Sequence, residues 1–132
     1  MRGVLPLAIA SVTLLSLPAT ASEWVRVKTS ATNNIYSVDV ASIEGRGRIR
    51  NFWSNIDFGK PELVAGKQAY SAIYYLSVDC QSKLYNLRFT RYLDRNSQPV
   101  QEYNYGEGSG FVAPSSGSSE EASIKFVCSR RR

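Results

Sequence analysis

Residues 72–93, AIYYLSVDCQSKLYNLRFTRYL, decide the fold, because they form two runs of alternating apolar residues around a short polar segment. The apolar positions are Ala72, Tyr74, Leu76, Val78 and Cys80 in the first run, and Tyr85, Leu87, Phe89 and Leu93 in the second. Alternation with a period of two is typical of strands that bury one face. The stretch therefore predicts two consecutive β-strands.

An antiparallel pairing of the two runs places both apolar sets on one face of a hairpin. With Asp79 opposite Leu84, three apolar pairs follow by counting along the chain. They are Val78–Tyr85, Leu76–Leu87 and Tyr74–Phe89. A slip by one residue would turn one apolar set away from the core, so this register is well specified.

Four further strands are predicted from runs rich in Val, Ile, Tyr, Phe and Thr, separated by clusters of Gly, Asn, Pro and Ser. They are Trp24–Thr29, Ile35–Val40, Arg48–Phe58 and Pro99–Gly106. We expect Gly59-Lys60-Pro61 to end the third of these strands and a loop to run on to Gln68. The pattern indicates a mainly β, antiparallel domain.

The last predicted strand has two possible registers. One places Tyr103 and Tyr105 on the core face, and the other places Val100 and Glu102 there. The first is favoured because two tyrosine rings bury more apolar area.

The C-terminal segment predicts a short helix over Ala122–Ser129. Its start, SSEE at residues 118–121, offers a serine cap followed by carboxylates in the first turn. In a helix, Ile124, Val127 and Cys128 share one face. The alternative is a last β-strand over 123–128.

Cys80 and Cys128 are the only cysteines, so one intramolecular disulfide is possible. Loop-closure entropy gives it a stabilisation of about 4 kcal/mol. Because Cys80 lies on the apolar face of its strand, the bond is expected to pin the C-terminal helix onto that face. A redox-active pair would favour Cys-x-x-Cys spacing, and a zinc site would need further ligands.

The first 21 residues resemble a secretory signal peptide. Arg2 gives a positive start, residues 4–17 form an apolar run, and Ala19-Thr20-Ala21 has the small-x-small pattern of a cleavage site. The run is shorter than the ~20 residues of a membrane-spanning helix. We expect cleavage between Ala21 and Ser22 and a single mature domain over 22–132. No cysteine near the junction provides a lipid-anchor site, so the expected location is secreted or periplasmic.

The composition disfavours several classes of function. Without Arg2 the mature chain has 15 basic and 11 acidic residues, and this modest excess, with the export signal, disfavours nucleic-acid binding. Histidine, the commonest general base and transition-metal ligand, is absent. No nucleophile elbow, phosphate loop or metal-ligand run is present. Asp39, Asp57, Asp79 and Asp94 stand at strand ends and turns, which favours capping. We therefore predict no enzyme activity, no cofactor and no metal.

Two surface regions are candidate binding sites. Arg46, Arg48 and Arg50 surround a turn, with an aromatic pair, residues 52–53, just after it. This pattern indicates either an anion-binding strand edge or a solvated basic edge that discourages aggregation. The second reading is favoured.

The other candidate is an outward patch on the central hairpin. The expected register places Tyr75 opposite Arg88, near Thr90 and Tyr92. A cation–π pair and a protein interface are one interpretation. Ordinary cross-strand packing is the other.

A set of scattered aromatic, acidic and cysteine positions resembles the surface-adhesin protein E family of bacterial exported proteins. These positions are Trp24-Val25, Tyr36, Asp39, Ser42-Ile43, Trp53, Ser71, Asp79-Cys80, Tyr92, Pro114-Ser115 and Cys128. The resemblance implies an antiparallel sheet of about six strands with a C-terminal helix tied to it by the disulfide. It also implies binding to extracellular proteins, sometimes as a dimer. The matching positions are structural, so no binding residue is carried over.

The sequence therefore predicts an exported, non-enzymatic, adhesin-like binding module for extracellular or cell-envelope macromolecules. The alternative is a periplasmic accessory or structural protein of an envelope complex.

Overall fold

Each strand of the sheet pairs with the strand that precedes it in the sequence, and every pairing is antiparallel. The computed structural model describes residues 21–45, 47–108 and 110–130. The strands are β1 (Trp24–Thr29), β2 (Ile35–Asp39), β3 (Ile49–Val64), β4 (Lys67–Asp79), β5 (Leu84–Leu93) and β6 (Pro99–Asn104). A short 3-10 turn spans Val40–Ser42, and the helix α1 spans Ser119–Ser129. The predicted fold class is confirmed.

The longest feature is the β3–β4 ribbon, where the sequence-based expectation of a loop is wrong. β3 continues through Gly59 and Pro61 to Val64, and a two-residue turn at 65–66 leads directly into β4. Residues 58–61 of β3 face only Tyr70 of β4, so the ladder is interrupted there. Proline lacks the N–H that a regular ladder requires, and this irregularity accommodates it.

The β4–β5 hairpin keeps the predicted register only up to Leu87. Val78 pairs with Tyr85 and Leu76 with Leu87, as expected. A bulge follows in β5, so that Phe89 pairs with Tyr75 instead of Tyr74. The extra residue reverses the alternation of the strand beyond it. The prediction that Phe89 belongs to the core face is therefore wrong.

The core lies between α1 and one face of the sheet. Its fully buried members are Phe52, Val38, Val78 and Val127, joined by Ile124 and Leu76. The Cys80–Cys128 disulfide links the end of β4 to the last turn of α1, as predicted. The helix reading of the C-terminal segment is thus confirmed over the strand alternative.

Capping bonds explain why α1 begins at Ser119. The Ser118 Oγ accepts a hydrogen bond from the Glu121 N–H at 3.1 Å. In return, the Glu121 carboxylate accepts one from the Gly117 N–H at 2.8 Å. The first bond satisfies a free N–H of the first helical turn, and the second fixes the chain just before the cap.

The register of β6 places Tyr103 opposite Thr90, on the helix-side face, as favoured from sequence. The burial expected for the tyrosines is not found: Tyr103 is 41% exposed and Tyr105 48% exposed. The backbone of α1 lies closest to β1 and β2, at the other side of the sheet. The helix therefore leaves the tyrosines of β6 uncovered.

Candidate binding surface

The sheet has one face packed against α1 and a second face, here called the open face, that points away from it. Phe52 and Leu76 point towards the helix, so alternation turns their neighbours Trp53 and Tyr75 to the open face. Among the described residues, α1 is the only α-helix, so no α-helix of this part of the chain covers the open face.

An aromatic cluster lies at the centre of the open face. The rings of Trp53 and Tyr75 are 4.8 Å apart, and Trp53 meets Phe89 edge-on at 5.8 Å. All three side chains are half-buried. They come from adjacent strands β3, β4 and β5, because the bulge in β5 brings Phe89 to this face. The result is an aromatic platform that remains partly accessible to solvent.

Arg91 borders the cluster in a fixed position. Its guanidinium lies 5.3 Å from the centre of the Phe89 ring, and its Nε donates to the Glu102 carboxylate at 2.5 Å. The side chain is 37% exposed. A stacked and ion-paired arginine loses little freedom when it binds a partner.

Arg88, the bulged residue, borders the cluster on a second side. It donates to the Ser77 Oγ at 3.2 Å and to the Gly106 carbonyl, and it lies 4.0 Å from the Glu107 carboxylate. Burial raises the pKa of Tyr75, the charge of Glu44 raises it further, and the charge of Arg88 lowers it. The Tyr75 phenol is therefore a neutral hydrogen-bonding group at physiological pH.

The structure brings together only part of the sequence-predicted patch. Tyr75 and Arg88 both contribute to the open face, but Tyr75 faces Phe89 in the ladder. Thr90 and Tyr92 lie on the helix side, where the Tyr92 ring is edge-on to Tyr103 at 6.3 Å. The bulge at Arg88 causes the difference, since every later residue of β5 lies on the opposite face from the one that strict alternation predicts.

Sequence reasoning missed Phe89 and Arg91 as members of the open face. Strict alternation assigns Phe89 to the core, and no residue type near Arg88 signals a bulge. One signal of the bulge was available in the sequence. Thr90 and Tyr92 form a second alternating series in the same strand, out of step with Tyr85 and Leu87.

The predicted basic edge is not an edge, because β3 is a central strand of the sheet. Arg48 donates from its guanidinium to the Asp79 carboxylate. Arg50 pairs with Val78 near the disulfide and donates from Nη1 to the Val127 and Arg130 carbonyls, each at 2.8 Å. Arg46 lies outside the described residues. The two described arginines are thus engaged in holding the fold together.

Most of the predicted aspartate caps are present. The Asp39 Oδ1 accepts from the N–H groups of Glu23 and Ala41, at 2.7 and 3.1 Å. The Asp79 Oδ1 accepts from Gln81 and Ser82, and the Asp94 Oδ1 from Asn96 and Gln98. Asp57 makes no hydrogen bond from its side chain to a described residue.

The carboxylate of Asp79 carries an electrostatic signature of its structural role. The side-chain hydrogen bond from Arg48 holds its pKa well below the usual range, against the opposing effect of burial. Backbone donors from Ser82 and Gln81 lower it further. The residue is therefore ionised at physiological pH and acts as an acceptor only.

Ser42, like Asp79, is one of the positions that carry the family resemblance, and its role is also structural. Its hydroxyl donates to the Asp39 carbonyl at 2.7 Å and accepts from the Trp53 N–H at 2.9 Å. This single side chain fastens the 3-10 turn to β3. The positions that carried the family resemblance thus include structural joints.

Two further searches concern only residues 21–45, 47–108 and 110–130. No helix in these ranges is long and apolar enough to cross a membrane. Within the same part of the chain, no cluster of three or more histidine, cysteine or acidic side chains could hold a metal ion.

Together these features define a small disulfide-tied domain with a six-stranded antiparallel sheet, one face covered by a helix and the other open. The chain belongs to the surface-adhesin protein E family, whose model matches residues 24–129. Comparison of the sequence with curated proteins gives no match.

Solved structures of Haemophilus influenzae protein E share the fold. Crystal form II of that protein has a TM-score of 0.60 at 16% identity, covering 89% of this chain and 96% of the other. Protein E from non-typeable Haemophilus influenzae has a TM-score of 0.57 at 16% identity, covering 89% and 82%. The predicted family is confirmed, and at this identity the structural likeness concerns the fold alone.

Proposed function

We propose that the protein is an exported, non-enzymatic adhesin-like module that binds an extracellular or cell-envelope protein through the open face. The observation that carries this proposal is the Trp53–Tyr75–Phe89 platform bordered by Arg88 and Arg91. Membership of a surface-adhesin family supports the class of function.

The chemistry of the open face is that of a protein interface. Tryptophan, tyrosine and arginine are the residues that contribute most to binding energy at such interfaces. Here they are already ordered by ring contacts and by the ion pair with Glu102. Pre-ordered side chains reduce the entropy lost on association.

The proposal includes export by the N-terminal segment. Residues 1–20 lie outside the described part of the chain, so cleavage between Ala21 and Ser22 and a mature domain over 22–132 rest on the sequence pattern. A secreted or periplasmic location follows from such processing. Mass spectrometry of the protein from its own cells gives the N-terminal residue directly.

The test is a binding assay on the purified protein with its disulfide intact. Immobilised extracellular matrix proteins and cell-envelope extract are both offered, and bound protein is measured over a range of concentrations. We expect saturable binding that is weakened about 30-fold or more by Tyr75→Ala, the effect of losing an interface hot spot. Arg91→Glu is expected to weaken binding in the same assay.

The matched control is Tyr103→Ala, which removes an exposed tyrosine from the helix side of the sheet. It is expected to leave binding unchanged. Binding that survives Tyr75→Ala and Arg91→Glu would exclude the open face as the site. Capture by envelope extract alone would favour an accessory role in the envelope over adhesion.

A further inference from the structure

A cavity of about 290 Å³ lies between the first turns of α1 and the helix side of the sheet. The segment around Val112, which pairs with Tyr85 through two backbone hydrogen bonds, closes one side of it. Its polar lining comprises Tyr36, Tyr74, Tyr85, Ser54, Ser119, Ser123 and Glu120. Binding sites for small molecules begin at about this size, so the cavity suits a small ligand or one inserted side chain.

Two seryl side chains from largely buried residues present their hydroxyls to this cavity. Ser54 is 6% exposed and Ser123 is 3% exposed, and neither Oγ makes a hydrogen bond to a described residue. The phenol groups of Tyr36 and Tyr74 also make none. These hydroxyls converge on one cavity and are available to hydrogen-bond a polar ligand.

The charge of the cavity is negative. Glu120 is its only charged lining residue, and this carboxylate raises the pKa of Tyr74 after the larger effects of burial and of Tyr92. Burial raises the pKa of Tyr85, and the same carboxylate raises it further. The full negative charge of Glu120 exceeds the partial positive charge of about half a unit at the N-terminus of α1, so the cavity attracts a positively charged ligand.

The lining also has an apolar part. Leu76, Leu87 and Val112 line the cavity beside the tyrosine rings. An adjoining depression shares Tyr36, Tyr74, Ser119 and Glu120, and extends towards Lys28 and Ser30. A ligand with an aliphatic chain and a charged end would match both parts of this lining.

We propose that this cavity binds a primary alkylammonium group. The three N–H donors of the group are directed to the Glu120 carboxylate and to the seryl and tyrosyl oxygens. Its alkyl chain lies against Leu76, Leu87 and Val112. The group could come from a free amine or from a lysine side chain of a partner protein. The site is on the opposite side of the sheet from the open face.

The experiment titrates the purified, disulfide-intact protein with pentylammonium chloride and follows backbone amide signals by NMR. We expect saturable shifts at Ser54 and Ser123, with a Kd of about 1 mM or tighter. The neutral analogue 1-pentanol is expected to cause no saturable shift there. Nα-acetyl-lysine amide is the second probe, and comparable binding of it would identify a lysine side chain as the source, whereas binding of pentylammonium alone would identify a free amine.

The variant Glu120→Gln removes the charge and keeps the size of the side chain. It is expected to weaken pentylammonium binding at least tenfold, since the ion pair becomes a neutral hydrogen bond. Glu121→Gln is the matched control, because Glu121 caps the same helix turn without lining the cavity. Equal binding of 1-pentanol, absence of shifts at Ser54 and Ser123, or binding unaffected by Glu120→Gln would each overturn the proposal.

Discussion

The guanidinium of Arg48 donates two hydrogen bonds to the Oδ2 of Asp79, from Nε at 3.2 Å and from Nη2 at 2.5 Å. The other oxygen of Asp79 accepts from the N–H groups of Gln81 and Ser82, which fixes the turn after β4. Because Cys80 follows directly, this ion pair stabilises the backbone beside the disulfide. The Asp79 side chain is only 11% exposed, whereas that of Arg48 is 59% exposed.

This pair predicts a loss of stability in acid. The pKa of Asp79 is depressed in the folded protein, so its contribution is complete above the ordinary aspartate pKa of about 4 and is lost as the pH falls below that value. We expect Asp79→Asn to unfold more easily than the wild type at pH 6 and the difference to shrink towards pH 2. Urea titrations across this range measure it.

Asp57→Asn is the control for the acid experiment, because the Asp57 side chain makes no hydrogen bond to a described residue. Its free energy of unfolding should parallel that of the wild type at every pH. A constant difference between Asp79→Asn and the wild type down to pH 2 would mean that the Arg48 pair is not the acid-sensitive contact.

A second prediction concerns the stability lost when the side-chain bonds of Arg50 are removed. Its Nη1 bonds to the Val127 and Arg130 carbonyls tie β3 to the C-terminal end of α1, while its buried Nε has no hydrogen-bond partner among the described residues. Arg50→Met keeps the aliphatic stem and removes both bonds. We expect the free energy of unfolding to fall by about 1–2 kcal/mol, since the loss of two charge-assisted bonds exceeds the relief of one buried donor.

Arg26→Met is the matched variant for this measurement. Arg26 is exposed on β1 and makes no side-chain hydrogen bond to a described residue. Its substitution should change the unfolding free energy by less than about 0.5 kcal/mol. Equal effects of the two substitutions in chemical denaturation would show that the bonds from Arg50 to the Val127 and Arg130 carbonyls do not stabilise the fold.

The third prediction concerns the stability lost when the disulfide is removed. The double variant Cys80→Ser/Cys128→Ser is expected to lose about 4 kcal/mol of stability, because the bond closes a long loop in the unfolded chain. Under native conditions, amide exchange of Ile124 and Val127 should accelerate more than that of Phe52, since α1 loses its covalent link to β4. Uniform acceleration across the sheet and the helix would contradict a specific role in docking α1.

Local rules were enough to predict much of the fold. The alternation around Leu76 and Val78 defined the central hairpin, and the serine cap with its carboxylates marked the start of α1, which begins at Ser119, three residues before the predicted Ala122. These features depend on contacts between neighbours in sequence or on a period that cannot shift without exposing the core. The Cys80–Cys128 bond followed because no other pairing existed.

The open face could not be predicted as a whole, because one inserted residue decides it. Arg88 carries no local signal of a bulge, yet it moves Phe89 and Arg91 to the open face and Tyr92 to the other side. The anchoring of Arg50 at the end of α1 is likewise a contact between distant parts of the chain. The sequence pattern shows which residues alternate, but the position of a bulge depends on tertiary packing and cannot be read from that pattern.

The fourth prediction concerns the stability of a Gly59 variant, since Gly59 lies within the part of β3 that was expected to be a loop. A Cβ at this position would lie 2.2 Å from the Thr32 carbonyl oxygen, and the Gly59 N–H donates to the Asn34 Oδ1 at 2.8 Å. Glycine is thus required by the close approach of the β1–β2 turn rather than by its ability to end a strand. Gly59→Ala should lower the unfolding free energy by about 1–3 kcal/mol, because rigid backbone must move apart. Lys60→Ala, at the next exposed position of β3, is the control in thermal denaturation, and an equally small change in both variants would show that the turn does not press on Gly59.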